Sequence, residues 1–253
     1  MKTLRPIHAN RGKATAYKRQ LTALVEEMSD SYLYWLTAVY KANPPVAADA
    51  LPSSDAKDKL NDLGKQWIKR FNDMAETIAT SYVTGMAKLT DKAMLQALRD
   101  AGWAVEFKMT RAMRDAMEAS IAENVSLIKS IQTQYHTKVE GIVMRNYAKG
   151  GDLYAMRTEI QQVEPLTVKR AVLIARDQSN KLNATVQRAR QLELGITQAK
   201  WMHSGAGKEP RPDHVAADGK IYDVDKGCLI SGKYIYPGEL INCRCVCRSV
   251  LPF

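Results

Sequence analysis

The sequence has no run of apolar residues long enough to cross a membrane. Its hydrophobic stretches are interrupted by Lys, Asp or Gln every few positions, whereas a transmembrane helix needs about 20 mainly apolar residues. Gly and Pro are also few, at 14 and 9 of 253 residues, which excludes collagen-like and linker-like chains. The basic amino terminus has no apolar stretch behind it, so a secretory signal is not expected. We therefore expect a chain made and kept in a cytoplasm, without a membrane partner.

The chain also lacks the short motifs of common enzymes. No G-x-x-x-x-G-K-[ST] loop is present, so no nucleoside triphosphate site is expected. The Gly-rich segment 204–208 has no helix start behind it and is interrupted by Pro210 and Pro212, which favours a surface loop. From the residues alone we assign no catalytic residue, no cofactor and no metal ligand.

Acidic residues are the minority. The sequence has 37 Lys and Arg against 27 Asp and Glu, a net charge of +10 that favours an acidic partner. Basic residues concentrate at the amino terminus and between residues 165 and 190, where they could contact phosphates without regard to base sequence. A solvated helix face is the alternative. The candidate DNA contacts are Lys13, Lys18, Arg19, Lys169, Arg170, Arg176, Arg188 and Arg190.

Two compositional regions meet near Gly195. Before it, apolar residues recur every three or four positions, which predicts amphipathic helices. From Gly195 onward lie half of the Gly residues and all four Cys residues, with alternating patterns typical of short strands. The fold class is therefore α+β, with a mostly helical N-terminal region followed by a small Gly/Cys-rich α+β C-terminal module.

Local signals set the expected boundaries. We divide the chain into a basic N-terminal arm and helical region at 1–125, a helical region leading into a long basic helix at 126–195, and a C-terminal module at 196–253. The element boundaries rest on caps, Gly residues and periodicity. We expect a connection at 46–54 and strands at 196–203, 220–224, 233–236 and 243–250. The expected helices are 18–40, one from a Ser53 or Ser54 cap through Met74, one from a Thr90 cap to Arg99 with Gly102 at its end, one after a Thr110 cap, one or two from Ser126 to a stop at Gly150-Gly151, one at 152–160, and one from Thr167 to Gly195.

One cluster in the module has the chemistry of a metal site. It consists of four thiols and two imidazoles: Cys228, Cys243, Cys245, Cys247, His203 and His214. Zinc takes four such donors, but C-x-C-x-C differs from the usual C-x2-C spacing. A Cys243 or Cys245 nucleophile with His214 as base, oriented by Asp213, is a second interpretation. We favour a third, in which the cysteines are small, buried core residues, with disulfides only after release into an oxidising medium.

The C-terminal residues also form an ordered pattern. An aromatic on a strand, an Arg and a His after a loop, a Gly turn, a Pro and then Asn-Cys-Arg-Cys follow one another, preceded by an Arg and an acid on a helix. These are Trp201, Arg211, His214, Asp218-Gly219, Pro237-Gly238, Asn242-Cys243-Arg244-Cys245, Arg176 and Asp177. The pattern resembles the phage Mu protein F-like family of minor head, or head morphogenesis, proteins of tailed bacteriophages.

The resemblance implies a virion protein and not an enzyme. It implies a minor capsid component near the portal vertex, present in the host cytoplasm during assembly, that supports head assembly and DNA packaging or delivery. Its expected partners are the portal protein, other head proteins and double-stranded DNA of any sequence; a homo-oligomer is an open alternative. A second hypothesis is a DNA-binding protein that guides or protects the genome end during ejection. A third is a zinc- or Cys/His-dependent enzyme.

Overall fold

Four long helices precede a small strand-rich region. The computed structural model describes residues 2–42, 52–205 and 209–252, so the expected connection at 46–54 lies largely outside the described residues, as do 206–208 of the Gly-rich loop. The expected α+β fold class is confirmed. In order, the elements are α1 Arg11–Ala42, α2 Pro52–Asp100, α3 Arg111–Ala148, α4 Leu153–Glu193, β1 Gln198–Met202, α5 Pro212–Ala216, β2 Ile221–Asp223, β3 Cys228–Ile230, β4 Lys233–Ile235 and β5 Val246–Ser249.

Several helix ends follow the local signals. The side chain of Thr110 caps α3, because its Oγ1 accepts the amide N–H of Met113 at 3.1 Å. Gly102 and Gly195 follow α2 and α4 with φ of +88° and +69°. This left-handed region suits Gly and ends a helix. These three predicted boundaries are confirmed.

Three of the predicted helix breaks are wrong. The break expected at Ser126 falls inside the continuous helix α3, Arg111–Ala148. Thr90 does not begin a helix: it is buried inside the continuous helix α2, where its hydroxyl donates to Oδ1 of Asn183 at 3.1 Å. Thr167 likewise does not begin a helix: α4 runs through it and through Pro165, so the helices expected at 152–160 and after Thr167 are one. The Thr167 hydroxyl donates instead to the carbonyl of Val163, at 2.9 Å. Packing along the whole helix outweighs a single capping or breaking residue.

The predicted N-terminal arm is also corrected. Helix α1 already begins at Arg11, and the segment before it packs against the end of the chain. The amide of Leu4 donates to the carbonyl of Ser249, and the amide of Leu251 donates to the carbonyl of Lys2, each at 2.9 Å. Leu4 and Ile7 are buried. Their apolar side chains dock the basic N-terminal segment, which its charge had suggested would be an arm.

The strands form one small sheet and one hairpin. Strand β1 is central, with β2 and β5 antiparallel on either side. Strand β3, which the sequence analysis missed, pairs with β4. Ser231 and Gly232, between these two strands, both have positive φ, 50° and 78°, as a two-residue hairpin turn requires. The last strand is shorter than expected, so Cys243 and Cys245 precede it.

The described residues group into two compact units, and each of the four long helices contributes to both. Unit 1 contains Met1–Ala16, Thr80–Ala122 and Ala175–Phe253, and unit 2 contains Tyr17–Ala79 and Glu123–Ile174. In unit 2, buried aromatic side chains form the core, and Tyr135 donates to Ser29 Oγ at 3.1 Å. In unit 1, one buried cluster joins Leu4 and Ile7 to Leu98 and Ile196, and a second lies in the strand-rich module.

Candidate functional site

The candidate DNA contacts are not equally accessible. Lys18, Arg19 and Lys169 are exposed, and all three lie in unit 2. The other five are half-buried or buried, namely Lys13, Arg170, Arg176, Arg188 and Arg190. Only the first three therefore present a fully exposed cation to a phosphate.

Arg190 is a structural residue of unit 1. Its side chain is 3% exposed and forms a bidentate ion pair with Asp91, in which Nη2 and Nε donate to the two carboxylate oxygens at 2.7 and 2.9 Å. It also donates to Glu193 and to the carbonyl of Lys108, both at 2.6 Å. Two carboxylates and a carbonyl occupy its donors, so Arg190 is not free to bind a phosphate.

Two other candidates bond to neighbouring residues. Arg188 donates to the carbonyls of Val224 and Asp225, at 3.1 and 2.9 Å, and lies over the ring of Tyr236. Arg170 donates to Ser130 Oγ at 2.9 Å. The guanidinium groups of Arg188 and Arg170 therefore already have hydrogen-bond partners within the protein.

The positive charge follows the division into units. Unit 1 holds 22 Lys and Arg against 13 Asp and Glu, whereas unit 2 holds 15 against 14. Almost all of the excess is therefore in unit 1. Its exposed basic residues include Lys88, Lys92 and Arg99, which lie along α2 and line an open groove of about 510 Å³ with an apolar floor. The sequence analysis did not single out these three residues.

The residues of the C-terminal pattern meet in unit 1, where α4 faces the segment before β5. The amide of Asn242 donates to Asp177 Oδ1 at 2.7 Å, and Asn180 donates to the carbonyl of Cys243 at 3.0 Å. Gly238 approaches the α4 backbone so closely that a Cβ there would lie 3.2 Å from the carbonyl oxygen of Asn180. These contacts dock the segment onto the helix.

His214 lies close to two of the four cysteines, Cys243 and Cys245. It lies on the short helix α5, and its Nδ1 is 3.5 Å from Sγ of Cys243 and 3.7 Å from Sγ of Cys245. All three side chains are buried, at 2–4% exposed. Asn242, with φ of +62°, turns the chain just before the two cysteines. The expected burial is confirmed, but the expectation of mere core filling missed this cluster.

The cluster has a defined surrounding. The ring of Trp201 meets that of His214 edge to face, with centroids 5.2 Å apart. Nε2 of His214 is buried without a hydrogen-bond partner among the described residues. On its other side the cluster borders a cavity of about 470 Å³, which is also lined by His203, Glu209, Arg211 and Arg244.

The two thiols of the cluster have opposite pKa shifts. A hydrogen bond from Cys245 lowers the pKa of the Cys243 thiol, and the same bond together with burial raises the pKa of Cys245. One thiolate, at Cys243, is therefore stabilised by a neighbouring thiol that keeps its proton.

The remaining cysteines have other surroundings. Cys247 accepts from Gln191 Nε2 at 3.5 Å, and that amide also donates to Ser249 Oγ at 2.8 Å. Cys228 lies in β3, and all four thiols are free. The polar residues Asn183, Gln187 and Gln191 recur every four positions on the buried side of α4, a signal in the sequence that was not used. The first two donate to the carbonyl of Ile7.

Comparison with known proteins finds a similarity that spans the end of α3, α4 and the C-terminal module. Residues 137–248 match the family model described as Phage Mu protein F like protein. The predicted family resemblance is confirmed. This is a family of phage structural and head-morphogenesis proteins, and its matched range contains every residue of the C-terminal pattern.

A relative extends the similarity to nearly the whole chain. An uncharacterized protein of Haemophilus influenzae is 28% identical over 250 residues, which cover 98% of this chain and 55% of the relative. The chain thus spans about half the length of that relative. No solved structure matches the chain. Among the described residues, no helix combines the length and apolar character needed to cross a bilayer.

Proposed function

We propose that the protein is a minor capsid protein of a tailed phage that acts in head morphogenesis at the portal vertex. The observation that carries this proposal is the Mu F-like match over residues 137–248. Within that range the pattern residues of α4 and of the segment before β5 bond to one another, as in Asp177 with Asn242. The match therefore covers residues that contact one another in the folded protein.

The test of this role is the composition of the virion. Phage particles produced from the genome that encodes the chain should contain it in a few copies per head, and it should co-purify with the portal protein when both are co-expressed. Deletion of its gene should leave heads that are misassembled or empty of DNA. Intact, infectious particles from the deletion strain would contradict the proposal.

We further propose that the protein contacts packaged DNA without sequence preference. The support is the charge of unit 1, whose excess of basic residues would release counterions from any duplex. Lys88, Lys92 and Arg99 are the exposed residues that we assign to this contact. Lys18, Arg19 and Lys169 of unit 2 are the alternative set.

Two matched triple variants separate these sets. One carries Lys88→Gln, Lys92→Gln and Arg99→Gln, and the other carries Lys18→Gln, Arg19→Gln and Lys169→Gln, so that each loses three positive charges. Binding to duplexes of unrelated sequence is measured across a salt series. Each lost phosphate contact should reduce the slope of log affinity against log salt by about 0.9.

We expect the larger loss in the first variant. A larger loss in the second variant would transfer the contact to unit 2. Absence of binding by the unmodified protein at low salt would remove the DNA contact and leave the virion role to be judged on particle composition alone.

A further inference from the structure

We infer that His214, Cys243 and Cys245 form a binding site for one zinc ion, with a fourth ligand position that opens into the neighbouring cavity. Each residue offers one donor atom, and the three atoms lie within 4.8 Å of one another. The inference is independent of the proposed function, because it concerns the chemistry of three side chains whatever the protein assembles with.

The distances fit a tetrahedral ion. With Zn–S of about 2.3 Å and Zn–N of about 2.0–2.1 Å, the nitrogen-to-sulfur edge of a tetrahedron is about 3.6 Å. The two observed edges from Nδ1 of His214, 3.5 and 3.7 Å, lie on either side of this value. One imidazole and two thiols are a soft donor set, which selects zinc over magnesium or calcium.

The protein holds these donors in place before any ion arrives. Asn242 is fixed by its bond to Asp177, and Cys243 by the bond between its carbonyl and Asn180. Asp213, next to His214, accepts from Ser231 at 3.1 Å and from the His214 amide at 2.9 Å. These contacts fix the backbone beside the donors, so little backbone reorganisation would accompany binding.

The fourth position would be taken by solvent. Among the described residues, no other Cys, His, Asp or Glu joins the group of three. Instead the cluster borders the cavity of about 470 Å³, which is lined by Arg211 and Arg244. Three protein ligands and an open position are the arrangement in which zinc binds water or an anion. Two guanidinium groups against one carboxylate, that of Glu209, leave the cavity lining net positive, which would favour an anion.

The alternative is a hydrogen-bonded group without metal, since a thiol and an imidazole at these distances also bond to each other. Nε2 of His214 is buried without a hydrogen-bond partner among the described residues in either arrangement, so metal content and the cobalt spectrum are what separate the two.

The test uses the full chain, without an affinity tag, purified under reducing conditions and without chelator. We expect about one zinc per chain by elemental mass spectrometry. After removal of the zinc, titration with Co²⁺ should give a sulfur-to-cobalt charge-transfer band and the intense visible bands of four-coordinate cobalt. Both signals should saturate at one equivalent.

Variants then locate the ion. Cys243→Ser and Cys245→Ser should each weaken the charge-transfer band and lower zinc affinity by at least tenfold. Cys228→Ser removes a buried thiol of the same module outside the cluster, so it should leave both readouts unchanged. Circular dichroism of each variant distinguishes loss of metal from loss of fold.

Three outcomes would overturn the inference. The first is a folded, unmodified protein that contains no zinc and gives no sulfur-to-cobalt band, which would leave a hydrogen-bonded cluster. The second is zinc retained in full by both cluster variants, which would place it elsewhere. The third is a metal-free protein with a mass two hydrogens lower under non-reducing conditions, whose peptide map places the disulfide between Cys243 and Cys245.

Discussion

Units 1 and 2 draw on the same four helices but differ in what they bury. Unit 2 is nearly neutral, and its buried aromatic side chains are anchored by neutral hydrogen bonds such as that of Tyr135 with Ser29. Unit 1 has the charge excess, buries Arg190 with two carboxylates, and contains the His214 cluster. A single helix such as α4 can therefore contribute to an apolar core over one part of its length and to an interior with buried polar and charged residues over another.

The apolar core of unit 2 should be the most sensitive to truncation. Phe71 is 1% exposed, and Phe71→Ala should destabilise the protein by about 3 to 5 kcal/mol because it removes buried apolar area and leaves a cavity. Urea denaturation monitored by circular dichroism gives the value. Ile68→Ala, on the same helix but about half exposed, is the control and should cost far less. Equal losses for both would show that Phe71 is not in a tight core.

The ion-paired interior of unit 1 comes next. Arg190→Ala should cost about 3 kcal/mol, because Asp91 and Glu193 would remain without their partner in a largely buried site. Arg99→Ala, at an exposed Arg of the same unit, should change stability by less than about 0.5 kcal/mol. A small effect of Arg190→Ala would mean that water replaces the guanidinium, and the contrast between the units would weaken.

The contact between α4 and the segment before β5 should have a smaller effect on stability. Asp177→Ala removes the acceptor of the Asn242 amide and the partner of Lys181, at a cost of about 1 to 3 kcal/mol. Zinc content measured on the same sample gives a second readout, since the site should lose affinity when its support is removed. Lys181→Ala is the control. It removes the ion pair with Asp177 but leaves the bond between Asp177 and the Asn242 amide in place, so zinc content should stay unchanged.

A matched pair of tyrosines gives the smallest effect at neutral pH. Tyr82 of unit 1 donates to Ser179 at 2.9 Å, and Tyr135 of unit 2 donates to Ser29 at 3.1 Å. Tyr82→Phe and Tyr135→Phe should each cost about 1 kcal/mol. A large difference between the two variants would show that hydroxyl burial differs between the units.

The same tyrosines set an alkaline limit. Burial raises the pKa of Tyr135 from 10.0 to about 12 and that of Tyr82 in the same direction. Above pH 10 the unfolded chain loses these protons first, so the stability that they contribute is full below pH 10 and is lost as pH rises toward 12. Denaturation midpoints across this range should fall less steeply in either Phe variant than in the unmodified protein.

The sequence was sufficient for the fold class and for helix ends where one residue decides the backbone, such as Gly102 and Gly195. It failed where packing decides. Thr90 and Thr167 both resemble helix caps, yet both lie inside long helices. The basic start resembles a free arm, but Leu4 and Ile7 supply enough apolar surface to dock it.

The residues of the candidate site could be named from the sequence, but their arrangement could not, because packing decides it. The pattern named His214, Cys243 and Cys245, but spacing cannot show that a short helix faces a turn 29 residues later. The basic residues were misjudged because net charge does not reveal which cations are already paired. Arg190, with two carboxylates, could be recognised as structural only from the packing of α2 against α4 within unit 1.

Four helices shared between the units have a consequence for genetic dissection. The chain passes from one unit to the other inside each of α1, α2, α3 and α4, so no contiguous stretch of gene encodes either unit. A fragment that ends at Gly195 would retain all of unit 2 but would expose the face of α4 on which Asp177 and Asn180 hold the C-terminal segment. Point substitutions, rather than deletions, are the means of assigning tasks to each half.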